Sequence, residues 1–86
     1  MAEPVFTPSF LRRVAELEKR LSGAELELFE KTLARIIVEP DLAERFPTFY
    51  DPNLPTFFVR AGPFIIEFAV DEATDGVTFV SLSYRS

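Results

Sequence analysis

Neither cysteine nor histidine occurs among the 86 residues. Without cysteine the chain has no disulfide and no thiolate nucleophile. Without histidine it lacks the usual general base and the commonest metal ligand. A serine nucleophile would have no imidazole to activate it. Glycine is scarce as well: the three present sit in turn-like contexts and form no phosphate-cradling loop. No apolar run approaches the roughly 20 residues that a membrane-spanning helix needs. The longest, Phe64 to Val70, is interrupted by Glu67. Near the N-terminus, Arg12 and Arg13 are followed by an amphipathic stretch rather than an apolar one, so no signal peptide is expected. The expectation is a cytoplasmic protein with no membrane association, no cofactor and no metal. The one conceivable carboxylate metal site, Asp71, Glu72 and Asp75, fits no calcium-loop spacing.

Basic residues are few and unevenly spread. The net charge is −5. Residues 1–45 hold seven basic and nine acidic side chains, whereas residues 46–86 hold two basic ones, Arg60 and Arg85, against five acidic. An acidic chain repels phosphate backbones at long range, so nucleic-acid binding is not expected except through a local groove.

What the chain does have is apolar and aromatic content. Hydrophobic residues make up 48% of it, and ten residues are phenylalanine. That is enough to build one core, and the length suits a single domain over residues 1–86. Pro4 to Thr7 reads as a brief first strand. Thr7-Pro8 is a helix start, with Thr as N-cap and Pro at the first helical position. Phe10, Val14, Leu17 and Leu21 then form one apolar stripe. Ser22-Gly23-Ala24-Glu25 matches a capping box and opens a second helix. Its stripe is Leu26, Phe29, Leu33 and Ile36 or Ile37, and Pro40 closes it. With about two residues between them, the helices must fold back as an antiparallel hairpin.

Residues 40–55 carry four prolines and read as a loop, with one helical turn around Asp41 to Arg45 and with Phe46, Phe49, Tyr50 and Leu54 as apolar anchors. Those aromatics suit a core lid or a partner-docking patch. The period then becomes two. Thr56 to Arg60, Phe64 to Val70 and Val77 to Tyr84 read as three strands of an antiparallel meander, joined by turns at Gly62-Pro63 and Asp75-Gly76. The predicted fold is α+β, in the order β-α-α-β-β-β. A short N-terminal strand and a two-helix hairpin pack on one face of a small, mainly antiparallel sheet.

Several segments resemble the RelE/ParE-type toxins of bacterial toxin–antitoxin systems. Val5-Phe6-Thr7-Pro8-Ser9-Phe10 resembles the family's opening, where an apolar strand runs into a Thr-Pro helix start. Ile36 to Leu42 is similar to the end of its second helix, Val59 to Phe68 to its central hairpin, and Val80 to Arg85 to its closing strand. The resemblance covers nearly the whole chain through the order and spacing of short motifs. It implies a compact sheet with the hairpin on one face, and an antitoxin protein as partner. In the RelE-like branch it implies cleavage of ribosome-bound mRNA by clustered basic, aromatic and acidic groups. In the ParE-like branch it implies DNA gyrase as target, without that nuclease set.

The chain departs from the nuclease pattern. Ile65 and Phe58 stand where basic residues are common, and Asp51-Pro52-Asn53 where the approach loop tends to be Lys-rich. Arg60, Tyr84 and Arg85 remain as candidate catalytic residues, with Glu67 and Arg45 as weaker matches. Each also has a plain structural reading: solvated strand ends for Arg60 and Arg85, a core-rim tyrosine with a wet hydroxyl for Tyr84, and a cross-strand partner of Arg60 for Glu67. Phosphoryl transfer depends on positioning and charge stabilisation, and two cations against five anions supply little of either. The expected function is that of a toxin or toxin relative acting by protein binding, with the ribonuclease site largely lost. The alternatives are an active ribosome-dependent mRNA endonuclease and a stand-alone interaction domain, for instance a homodimer, that keeps only the fold.

Overall fold

The computed structural model describes residues 4–48, 55–71, 73–74 and 76–85. Strand β1 (Val5–Phe6) leads directly into helix α1 (Pro8–Glu18). The Thr7 hydroxyl oxygen accepts the Phe10 N–H at 3.3 Å, as an N-cap should, and Pro8 begins the helix. The same hydroxyl donates to the Phe79 carbonyl at 3.0 Å, so the cap also ties the helix to the sheet. Helix α2 (Gly23–Val38) opens on the complete capping box: Glu25 N–H donates to Ser22 Oγ, and Ser22 N–H donates to Glu25 Oε1. Residues 19–22 join the helices. This is longer than the two-residue link expected from sequence, because α1 gives way at Lys19 to a last bonded turn through Arg20 and Leu21.

Five strands form one sheet in the order β1-β5-β4-β3-β2. Strands β3 (Thr56–Ala61), β4 (Phe64–Asp71) and β5 (Gly76–Tyr84) make the antiparallel meander predicted by the period-two pattern. Strand β1 lies beside β5 and parallel to it. The sheet is therefore mixed and mainly antiparallel, as expected. The unforeseen element is β2 (Phe46–Thr48), which pairs with Phe58 to Thr56 inside the segment read as loop. Its Pro47 hid it, since proline is tolerated in a sheet only at such an edge. The helical turn expected around Asp41 to Arg45 is instead a pair of tight turns, closed by Leu42 N–H to Glu39 O and Arg45 N–H to Leu42 O. Phe49, Tyr50, Asp51, Pro52, Asn53 and Leu54 lie outside the described residues.

Both helices cover one face of the sheet. Phe64, Ile66, Phe68 and Phe79 are wholly shielded there, beneath Phe10, Leu17, Phe29 and Ile36. The predicted apolar stripes of both helices thus face the sheet. The aromatic rings run in continuous contact, Phe6 on Phe79, Phe79 on Phe10, Phe10 on Phe29 and Phe29 on Phe64, with centroids 5.1–6.4 Å apart. Such pairs add about 0.5–1.5 kcal/mol each beyond area burial. The β3–β4 turn requires glycine at one place. Gly62 has φ +58°, and a Cβ there would come within 2.8 Å of Leu28 Cδ2 on α2.

Candidate functional site

Residues directly opposite each other across a sheet share a face. The register therefore sorts every strand residue by side. Phe57, Val59, Phe64, Ile66, Phe68, Val77, Phe79, Leu82 and Tyr84 belong to the helix-covered face. The opposite face holds four cross-strand rows, of which Asp71–Gly76 lies at the end of β4 away from the β3–β4 turn. Of the other three, the first runs Thr48–Thr56–Ala69–Thr78, with Val5 beyond it on β1. The next runs Phe46–Phe58–Glu67–Ser81. The last, nearest the β3–β4 turn, runs Arg60–Ile65–Ser83. Thr56 and Ala69 in the first row are buried, and the Thr56 hydroxyl is hydrogen-bonded to that of Thr48. The second and third rows supply the exposed chemistry: an aromatic pair, one carboxylate, one guanidinium and two hydroxyls.

The five candidate residues do not meet. Tyr84 ends β5 on the covered face, its ring edge-on to Phe64. Its hydroxyl is not simply wet, as the core-rim reading had it: it donates to Glu25 Oε2 at 2.6 Å. Glu25 thus closes the α2 cap with one carboxylate oxygen and holds the end of the sheet with the other. The Tyr84 hydrogen bond, followed by that from the Ser22 backbone, lowers the Glu25 pKa from the usual carboxylate range. The same bond, with burial and the carboxylate's charge, raises that of Tyr84.

Arg45 is also on the covered side. Its guanidinium sits 3.8 Å over the Phe57 ring and donates to the Pro40 carbonyl at 3.0 Å. It pins the chain leaving α2 to the margin of the sheet, helped by buried Leu42 and by the Arg35–Glu44 ion pair.

Arg60 and Glu67 occupy the open face. Phe58, not Arg60, stands directly opposite Glu67. Arg60 is the diagonal neighbour, and no salt bridge joins the two. The expected cross-strand pair is thus offset by the register, which sequence alone could not supply. Arg85 follows β5 in an exposed position, its N–H donating to the Pro63 carbonyl at 2.7 Å. Arg60 and Arg85 therefore share the turn end of the sheet. Strand β4 lies between their strands, which puts the two backbones about 10 Å apart.

At a bulge between Glu67 and Phe68 the partner shifts from Ser81 to Phe79, and Val80 is left without one. The bulge re-aims β5 next to Glu67, the carboxylate in the middle of the open face among the described residues. Among the described residues, no three His, Cys, Asp or Glu residues cluster as metal ligands. Glu72 and Asp75 lie outside those residues, so the carboxylate trio with Asp71 is not described. A shallow depression on α2 is lined by Ala34, Arg35, Val38 and Glu39, and Arg45 is the candidate residue that follows it in sequence. No helix among the described residues is long and apolar enough to cross a membrane.

Sequence reasoning passed over two partners. The capping box accounts for Glu25 locally and gives no sign of its bond to Tyr84, which spans 59 residues. Against the nuclease pattern Phe58 stands in place of a cation, and its period-two parity with Thr56 and Arg60 puts it on the open face. No known protein-family model matches the chain, and no curated protein sequence matches it.

Proposed function

We propose that this chain is a RelE/ParE-like toxin or toxin relative that acts by binding protein, with an antitoxin as its natural partner, and that it does not cleave RNA. The motif order and the hairpin-on-sheet architecture support the relationship, although a shared fold does not fix an activity. One observation carries the choice of binding over cleavage: the candidate catalytic groups are divided between the two faces of the sheet. The Tyr84 hydroxyl and the Arg45 guanidinium are engaged inside the fold, while Arg60 and Glu67 stand on the other side. In-line attack by a 2′-hydroxyl needs proton-transfer groups and cations converging on one phosphate. Here such a phosphate would meet Arg60 beside the Glu67 carboxylate, with Arg85 two strands away at the turn end of the sheet and with neither Tyr84 nor Arg45 on that face.

The test is expression of the chain alone in a growing bacterial culture, with transcripts mapped, followed by co-expression with a small, basic reading frame adjacent to the gene. The expected result is intact transcripts and co-purification of the two products. Transcripts cut upon expression would reinstate the endonuclease. Intact transcripts with no co-purifying product, and a non-toxic homodimer, would favour the stand-alone interaction domain.

A further inference from the structure

The row Phe46–Phe58–Glu67 is built from three strands that are distant in sequence. Phe46 stacks on Phe58 with centroids 5.3 Å apart, yet Phe46 remains 52% exposed. A large aromatic held in place and still open to water stands apart from the helix-covered core on the other face. Glu67 is half-buried directly beside Phe58, on the side away from Phe46. No lysine or arginine is salt-bridged to it among the described residues. Aromatic faces next to a carboxylate favour one kind of group, a cation on an apolar stem.

The fold contains an internal example of half of this contact. On the covered face, Arg45 lays its guanidinium 3.8 Å over Phe57, the residue next to Phe58. On the open face the corresponding aromatic pair carries no cation from its own chain among the described residues. The charge balance agrees. The chain carries −5 overall, and from residue 46 onward it has two basic side chains against five acidic. This favours a basic partner and disfavours both RNA and a second copy of the same acidic chain.

We propose that the open-face row Phe46–Phe58–Glu67 is a docking site for an arginine side chain of a basic protein segment, with the stem on the phenylalanine pair and the guanidinium on the Glu67 carboxylate. The inference rests on the protein-binding reading and locates its surface. It can fail while that reading stands, if a partner binds elsewhere.

The probe is a blocked pentapeptide, acetyl-Leu-Arg-Val-Arg-Leu-amide, followed by amide and aromatic-ring NMR shifts of the full chain. The control peptide carries citrulline in place of both arginines, which keeps the shape and removes the charge. The expected result is saturable shifts at Phe46, Phe58, Glu67 and Ser81, absent with citrulline and weakened by added salt. Glu67→Gln and Phe46→Ser should each lower the affinity about fivefold without changing the thermal midpoint by more than a few degrees. Shifts confined to another surface, or equal binding by Glu67→Gln, would overturn the proposal. So would concentration-dependent shifts at the same residues without peptide, which would mean self-association, or preferential binding there of a single-stranded RNA oligonucleotide. A co-encoded partner that still co-purifies with the Glu67→Gln, Phe46→Ser double variant would overturn the site while leaving the protein-binding reading intact.

Discussion

On the helix-covered side of β4 stand Phe64, Ile66, Phe68 and Val70, the first three with no exposed surface. On the other side of the same eight-residue strand stand Ile65, Glu67, Ala69 and Asp71. The neighbouring strands follow suit, with Val59 and Phe57 facing the helices and Phe58 and Arg60 facing away. Successive residues thus fall on opposite faces, and a residue's parity decides whether the helices cover it. The comparison explains why a motif-based reading gathered five residues into one site that the fold does not assemble. Tyr84 and Arg85 are adjacent in sequence, but Tyr84 belongs to the covered face and has already been claimed by Glu25.

The strongest way to break this division is to remove equal rings from both sides. Phe68→Ala deletes a ring with no exposure, packed against Phe57 and Phe79, and should cost about 3–5 kcal/mol. That is a large part of the 5–15 kcal/mol available to a typical domain. Phe46→Ala removes a ring whose main contact is its stack on Phe58, and should cost about 0.5–1 kcal/mol. Urea denaturation of the two variants measures the difference. Equal losses would mean that the open face is a second core.

Next in size is the turn that joins the two central strands. Gly62→Ala places a Cβ in the left-handed region and against Leu28, and should cost about 1–2 kcal/mol. Repeating it in a Leu28→Ala background separates the two causes. The steric part disappears there, and the backbone part remains.

A smaller, pH-dependent effect comes from Tyr84, a candidate site residue whose hydroxyl is bonded to Glu25 inside the fold. Glu25 has a folded-state pKa below its unfolded value, so its contribution is present above the unfolded pKa and is lost as pH falls through the folded one. Tyr84 has a folded-state pKa above its unfolded value, so its contribution is present below the unfolded pKa and is lost as pH rises through the folded one. The bond should therefore stabilise the fold from mildly acidic to mildly alkaline pH and weaken at both ends. Thermal unfolding across pH checks this against Tyr84→Phe, which should flatten both limbs and leave Tyr50 as the only titrating phenol. A Tyr84→Phe profile that overlays the parent's would remove the bond from the account.

Much of the fold was legible because local signals agreed with one another. Thr7-Pro8 and the Ser22–Glu25 box give both helix starts, the stripes give the buried faces, and the period-two runs give the meander. What escaped was non-local. The β1–β5 parallel pairing joins residues more than seventy positions apart, and β2 was masked by its proline. The site was less legible still. Its row depends on two registers at once, Phe46 on Phe58 and Phe58 on Glu67, and periodicity within a strand carries no register between strands. The bulge near Val80 adds a further offset that no pattern in β5 announces.

The smallest expected effect separates the two functional readings most sharply. Arg60 is exposed on the open face, diagonal to Glu67 and directly opposite Ile65. Arg60→Ala should change stability by no more than about 0.5 kcal/mol, because nothing buried depends on the side chain. Its charge, however, lies close to the carboxylate proposed to receive a partner's arginine, and there it acts as a competitor. Its removal should tighten the arginine pentapeptide about twofold, a gain that shrinks as salt is added. If Arg60 instead served to hold a phosphate, the same substitution would leave the peptide unaffected and abolish any transcript cleavage. The sign of a twofold change in peptide affinity, read beside a transcript map, thus tells a docking surface from a catalytic one.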